Sequence, residues 1–169
     1  MDLIKLNVSA SFILDRTSLT WRELLFGIDK ELISPNAAMD FAANRMERGD
    51  DSAGVVDLAT SMKGQGIRAL VEQLANMEPQ QSTAQVRDKW LYLVLAWIFA
   101  HRKEYGDPLR VVEEAYADFD YPQLVAPFVR YMPMTGLDRG NREENEQQLY
   151  ENWERFIRNM EVHYGAAKS

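Results

Sequence analysis

Apolar side chains recur along most of the chain at the three- and four-residue spacing of helices that bury one face. The pattern first appears in residues 20–32, where one side of the predicted helix carries Trp21, Leu24, Leu25, Ile28 and Leu32. It returns near the end of the chain, where residues 142–162 are predicted to form a helix that packs by a single stripe of Leu149, Trp153, Phe156, Ile157 and Met160. A glutamate-rich face is left for solvent in this last helix.

Several helix starts are marked by local chemistry. Thr20 with Glu23, and Ser82 with Gln85, have the spacing of capping boxes, in which each side chain binds the other residue's backbone amide. Ser34-Pro35 and Asp107-Pro108 each offer an N-cap followed by proline at the first helical position. Further short helices are predicted over the following segments: one ending at Gly49, one from residue 51 or 52 to 62, one starting after Gly66, and one from Tyr121-Pro122 to before Pro133.

The segment from Trp90 to Ala100 is apolar on every side, which is typical of a helix surrounded by others. It is too short to span a membrane, which takes about 20 residues. We predict a central apolar helix near 83–104, opened by the Ser82 capping box. Only Leu3 to Val8 alternates like a strand, and Met132 to Gly140 is the longest predicted loop. The expected fold is therefore all-α, one domain over 1–169 of eight or nine helices in helix-hairpin packing.

Composition adds limits on function. The 169 residues include 46% hydrophobic residues, no cysteine, and 26 acidic against 19 basic side chains, for a net charge of −7. Such a chain folds without disulfides, and its acidity argues against binding duplex nucleic acid. The N-terminus lacks the unbroken apolar stretch of a secretory signal, so a cytoplasmic protein is expected.

Candidate catalytic chemistry is sparse. His101 and Glu104 have a spacing found in metal sites, but a third ligand is missing, and a structural histidine at a helix end is the better interpretation. Gly64-Gln65-Gly66 is too short to hold a phosphate, and no serine or cysteine nucleophile motif occurs. We predict no catalytic residue, no metal, no cofactor and no enzymatic activity.

Acidic residues and tyrosines are concentrated between Asp107 and Pro133. Rigid tyrosines beside carboxylates are common at protein interfaces, although aromatics that join helices and a solvated acidic face are the simpler explanations. Arg130 is expected to pair with Asp118 or Asp120, and Pro122 is expected to hold Tyr121 extended. The candidate partner-binding residues are Glu113, Glu114, Asp118, Asp120 and Tyr121, with a second acidic cluster at Glu143, Glu144 and Glu146.

Several of these segments resemble an uncharacterised bacterial family, domain of unknown function 2247. The resemblance rests on Lys89–Trp97, Asp107–Leu109, Tyr116–Pro122, Phe128–Pro133 and the early Leu19–Glu23. It implies a bacterial, cytoplasmic, helical protein and brings no activity or catalytic residue with it.

Three functions remain open on the sequence. The first is a protein-binding module, an immunity protein or antitoxin of the kind found in contact-dependent growth inhibition, that neutralises a basic toxin domain such as a nuclease. The second is a hydrolase that uses metal-held or free carboxylates, and the third is a helical scaffold or regulator that binds another protein. The sequence does not distinguish active-site occlusion from exosite binding, and it does not give the oligomeric state.

Overall fold

The structure, a computed structural model, describes residues 6–62, 66–130 and 142–165. Those ranges contain eight α-helices, three short 3-10 turns and no strand, so the predicted all-α class is confirmed. The helices are α1 (Ala10–Leu14), α2 (Trp21–Asp29), α3 (Ala38–Glu47), α4 (Ala53–Ala59), α5 (Ile67–Asn76), α6 (Thr83–Ala100), α7 (Pro108–Asp118) and α8 (Arg142–Gly165).

Contacts divide these residues into two units, with the boundary inside α6 between Trp90 and Leu91. The described residues of the N-terminal unit are 6–62 and 66–90, and those of the C-terminal unit are 91–130 and 142–165. The predicted single domain over 1–169 stays a prediction.

In the N-terminal unit, α3 packs against α4, α4 against α5, and α2 against α5. The capping box at the start of α2 is confirmed in both directions, because Thr20 accepts from the Glu23 amide and Glu23 accepts from the Thr20 amide. The expected N-cap at Ser34 is also present, although Pro35–Ala37 form a 3-10 turn before α3 begins.

The buried centre of this unit joins α2 to the first half of α6. The Trp90 indole is fully buried and donates its Nε1–H to the Glu23 carbonyl oxygen at 2.6 Å. Gly27 gives the ring its space, since a Cβ there would lie 2.1 Å from Trp90 Cζ2. Lys89 Nζ lies 3.1 Å from Glu23 Oε1 and 2.6 Å from the Ser18 carbonyl oxygen, so this buried charge pair is also hydrogen-bonded.

The C-terminal unit is built on the second half of α6. Leu91 to Ala96 are all buried, which confirms the central apolar helix. Four of the five residues in the predicted stripe of α8 are buried, and Met160 is half-buried. Trp153 is fully buried and donates to the Leu95 carbonyl oxygen at 3.2 Å. Its ring stacks on Phe128 at a centroid distance of 6.2 Å and meets Phe99 edge-on at 5.0 Å.

Two predicted elements were wrong in extent or kind, and one helix was missed. Helix α6 ends at Ala100, and Arg102–Glu104 form a separate 3-10 turn. The expected helix after Tyr121 is reduced to the 3-10 turn Ala126–Phe128. Helix α1 was not anticipated; Ser9 caps it by accepting from the Phe12 amide. Half of Leu3–Val8, part of Gly64–Gly66 and the whole of Met132–Gly140 lie outside the described residues.

Candidate functional site

The C-terminal end of α7 is closed by a tight turn. The Tyr121 amide donates to the Tyr116 carbonyl oxygen at 2.8 Å, and the Asp120 amide donates to that of Ala117 at 3.1 Å. This is the Schellman pattern of helix termination, in which the residue at the Asp120 position is usually glycine because its φ is positive. Here Asp120 has a φ of 65° and Tyr121 has a φ of 56°.

The end of α3 shows the same turn in its ordinary form. The Asp50 amide donates to the Arg45 carbonyl oxygen, the Gly49 amide donates to that of Met46, and Gly49 takes the positive φ of 97°. Glu31 closes α2 in the same way and has a positive φ of 58°, so a single non-glycine residue in this turn also occurs elsewhere in the chain. Two such residues in succession, Asp120 and Tyr121, occur within the described residues at the end of α7. Such strained conformations cluster at functional sites.

The expected extended geometry of Tyr121 was wrong. Proline disfavours the right-handed helical region for the residue before it, but the closing hydrogen bond to Tyr116 holds Tyr121 in the left-handed region instead. The Tyr121 ring meets the Tyr116 ring edge-on, with centroids 5.3 Å apart. Tyr121 remains 55% exposed and Leu124 59% exposed, so an aromatic and an aliphatic side chain stand out from this turn.

The charge at this turn is also unfavourable for the helix. The last turn of α7 carries no basic residue, and Asp118 and Asp120 place carboxylates near the negative end of the helix dipole. Asp120 is exposed and forms no ion pair with another described residue. We call Tyr116, Asp118, Asp120, Tyr121 and Leu124 the α7 corner.

Arg130 connects two other carboxylates in the C-terminal unit. Its Nε lies 2.9 Å from Glu113 Oε1, and its two terminal nitrogens lie 3.0 and 3.1 Å from the Asp107 carboxylate. The expected pairing of Arg130 with Asp118 or Asp120 was wrong, because Arg130 lies beside the first half of α7 and not its end. Glu113, only 21% exposed, is held inside this arrangement and contributes to the architecture.

The Arg130 arrangement shifts the ionisation of its members. The hydrogen bond and charge of Arg130 lower the pKa of the Asp107 carboxyl, although burial opposes that change. The same hydrogen bond to Asp107, with the one to Glu113, raises the pKa of the Arg130 guanidinium. Both groups stay charged at neutral pH.

The remaining candidates are more exposed. Glu114 lies 3.8 Å from Arg110 one turn away, and both are largely in solvent, so this pair contributes little to stability. Glu143 and Glu144 are exposed in the first turn of α8, where carboxylates are favoured by the helix dipole. Glu146 is half-buried, and its charge contributes to a raised pKa of Tyr150, after the larger effect of burial.

The histidines form no site among the described residues. His101 Nδ1 lies 2.8 Å from the Trp97 carbonyl oxygen, and its ring packs on Trp97 with centroids 3.8 Å apart. Glu104 follows on the 3-10 turn and not on the same helix. Across the described ranges, no group of three or more histidine, aspartate or glutamate residues is arranged to hold a metal ion.

Sequence reasoning missed a cleft of about 350 Å³ in the C-terminal unit. It lies between the end of α6, the start of α7 and the middle of α8, and its polar lining includes Arg102, Tyr150 and Glu151. No motif marks it, because its residues come from three separate segments.

A protein-family model matches most of the chain. Residues 10–161 match the family model of domain of unknown function 2247, described as an uncharacterised protein conserved in bacteria. The chain belongs to this family. The resemblance seen in the sequence is thereby confirmed, and the family match covers both α7 and the α7 corner.

Neither a curated protein nor a solved structure matches the chain. Family membership therefore supports the bacterial origin and carries no activity to the α7 corner or the cleft. Among the described helices, none combines the length and apolar character needed to cross a membrane.

Proposed function

We propose that the protein is a bacterial immunity protein or antitoxin, which acts in the cytoplasm by binding and neutralising a basic toxin domain. The single observation that carries the proposal is the α7 corner. Two consecutive residues, Asp120 and Tyr121, adopt a conformation usually left to glycine. Together they present a carboxylate that no described residue pairs with, beside an exposed aromatic ring.

The corner matches the chemistry of a protein-binding hot spot. Tyrosine supplies a large contact area with little conformational freedom to lose, and the edge-on contact with Tyr116 restricts the ring further. A partner's lysine or arginine could stack on the Tyr121 face while it pairs with Asp120. A positive partner would also relieve the unfavourable charge of the Asp120 carboxylate at this helix end.

The acidic charge of the whole chain supports the same partner class. A net charge of −7 attracts a basic domain at long range and raises the rate of encounter. Because Glu113 is held by Arg130, the proposed contact surface comprises the α7 corner and Glu114. Glu143 and Glu144 are kept as a second, exposed acidic patch.

The experiment begins with the gene's neighbourhood. If the gene lies directly downstream of a large reading frame that ends in a toxic domain, that domain is co-expressed with this protein. We expect growth to be rescued and the two proteins to co-purify. Failure of both in a well-expressed pair would contradict the proposal.

Charge reversal tests the surface. The combined variant Glu114→Lys, Asp120→Lys, Glu143→Lys and Glu144→Lys is expected to weaken binding by about 100-fold or more. A control of the same kind reverses two exposed carboxylates of the N-terminal unit, Glu47 and Asp88. It is expected to slow association slightly through the change in net charge and to leave the dissociation rate constant as in the wild type. Unchanged affinity in the first variant would contradict this electrostatic mode of binding.

The alternative of a carboxylate-dependent hydrolase has its own test. A divalent ion held by carboxylates stabilises the folded state in proportion to its occupancy. We expect the melting temperature to stay unchanged when Mg²⁺ or Mn²⁺ is added. A saturable increase would favour the hydrolase over the binding module.

A further inference from the structure

We infer that the cleft between α6, α7 and α8 binds a small monocarboxylate with an apolar body. This site is separate from the α7 corner. The cleft includes Pro108 at the start of α7, and the corner begins at Tyr116 near the other end of that helix, about 12 Å away at the helical rise per residue.

Arg102 provides the first anion-binding group. Its guanidinium lies over the Phe99 ring, 4.2 Å from the centroid, and its Nη1 donates to the Phe99 carbonyl oxygen at 2.8 Å. No described carboxylate forms an ion pair with Arg102, so its other N–H donors are available to a ligand. A fixed, planar guanidinium with two adjacent free donors suits the two oxygens of a carboxylate.

Tyr150 provides a second donor in the same cleft. Its ring stacks on Trp153 with centroids 5.9 Å apart, which fixes its position on α8. Its hydroxyl has no hydrogen-bond partner among the described residues. Because burial and the charges of Glu146 and Asp107 raise its pKa, the hydroxyl keeps its proton at neutral pH and donates it to an acceptor.

The other residues that line the cleft favour a monocarboxylate over a phosphate. Glu151 and Glu154 are acidic, and Glu154 is paired with Arg158 one turn further along α8. Their negative charge opposes a phosphate dianion more than a single carboxylate. Phe99 and Pro108 provide apolar surface for the body of the ligand, and a volume of about 350 Å³ is within the range of small-molecule sites.

Calorimetric titration of the full chain with benzoate tests this site. We expect saturable binding with a Kd on the order of 1 mM. Benzyl alcohol, which keeps the ring but lacks the charge, and phenyl phosphate, which carries more charge, are expected to bind at least about tenfold more weakly. Equal binding of benzyl alcohol, or no saturation by about 10 mM benzoate, would overturn the inference.

Variants assign the binding to the two donors. Arg102→Gln is expected to weaken benzoate binding about tenfold or more, and Tyr150→Phe about threefold to tenfold. Arg102→Lys keeps the charge but not the paired donors and should fall between wild type and Arg102→Gln. Arg155→Gln, an exposed change on α8 outside the cleft, is the control and should bind normally. Folding of each variant is checked by thermal melting, and unchanged binding in folded Arg102→Gln would contradict the site.

Discussion

At the scale of single residues, Asp120 and Gly49 form a natural pair for comparison. Both take a positive φ in the closing turn of a helix, but only Gly49 is free of a Cβ. A side chain in this region costs about 1 kcal/mol relative to glycine. The α7 corner therefore keeps an aspartate at the expense of local stability, as functional sites often do.

We predict that Asp120→Gly raises the free energy of unfolding by about 1 kcal/mol, since it removes both the strained Cβ and a carboxylate at the negative end of α7. Gly49→Asp should lower it by a similar amount. Urea denaturation of the two variants measures both changes. On the proposed function, Asp120→Gly also binds the partner more weakly, so stability and affinity should change in opposite directions. A destabilised Asp120→Gly would show that Asp120 is retained for folding.

Gly27 and Gly54 give a second residue-scale comparison. An added Cβ at Gly27 would lie 2.1 Å from the rigid indole of Trp90, which is fixed by its hydrogen bond to Glu23. An added Cβ at Gly54 would lie 2.8 Å from the end of the flexible Leu74 side chain. Alanine has a higher helix propensity than glycine at both positions. A difference between the two substitutions in the free energy of unfolding therefore reports packing.

We predict that Gly27→Ala lowers the free energy of unfolding by about 2–3 kcal/mol, whereas Gly54→Ala changes it by less than about 1 kcal/mol. Denaturation midpoints measure the losses, and the near-ultraviolet circular dichroism of tryptophan reports displacement of the ring. Equal effects of the two substitutions would contradict the rigid contact between Gly27 and Trp90.

At the scale of elements, two helix starts were predictable from sequence because their chemistry is local. The N-cap expected at Asp107 was wrong, because its carboxylate accepts hydrogen bonds from Arg130 and forms no capping hydrogen bond with the first turn of α7. The capping box of Thr20 and the N-cap at Ser34 require only residues a few positions apart. The end of α6 was not predictable in this way. Arg102 donates to the Phe99 carbonyl oxygen, and His101 Nδ1 lies within hydrogen-bond distance of the Trp97 carbonyl oxygen. Side chains therefore satisfy carbonyls of the last turn at the point where the helix stops.

In segment 121–130, the local sequence pattern predicted a helix that the structure does not contain. Its helical pattern was misleading because Val125, Phe128 and Val129 are buried by tertiary contacts of the C-terminal unit and not by the face of a helix. The partner of Arg130 depends on the same packing. Spacing along the sequence suggested Asp118 and Asp120 as partners of Arg130. The fold instead places Asp107 and Glu113 beside its guanidinium.

The ion pair between Arg130 and Asp107 at the start of α7 is expected to make the stability of the protein depend on pH. The pKa of Asp107 is lowered in the folded state, so its contribution to stability is present above the unfolded carboxyl pKa of about 3.9 and is lost as pH falls through the lower folded value. Asp107→Asn should therefore cost stability at pH 7, by no more than about 1 kcal/mol because the carboxylate is 45% exposed.

The difference between wild type and Asp107→Asn should shrink as pH falls below about 4. Urea denaturation across that range measures it. Asp88→Asn, at an exposed position on α6, is the control and is expected to show little difference at any pH. If the difference in free energy of unfolding between wild type and Asp107→Asn stayed constant over the whole pH range, the charge of Asp107 would not be what stabilises the contact.

At the scale of the whole molecule, the hydrophobic pattern and the similarity of several segments predicted more than any single motif. The all-α class followed from periodicity, and the family resemblance followed from several separate segments. The sites did not follow in the same way. The α7 corner was selected for its residue types, but its strained backbone is visible only in three dimensions, and the cleft of Arg102 and Tyr150 draws on three segments with no shared spacing.

The net charge of −7 gives the last prediction, which rests on the proposed function. Long-range attraction is screened by salt, whereas desolvated contacts at the α7 corner are screened much less. The association rate constant with the basic partner domain should fall by about tenfold or more between roughly 0.05 and 0.5 M NaCl, with a much smaller change in the dissociation rate constant. Stopped-flow mixing measures both.

Asp120→Gly should chiefly speed dissociation, since it removes a short-range contact and little of the total charge. An association rate that does not depend on salt would mean that the acidity of this chain has no part in finding its partner.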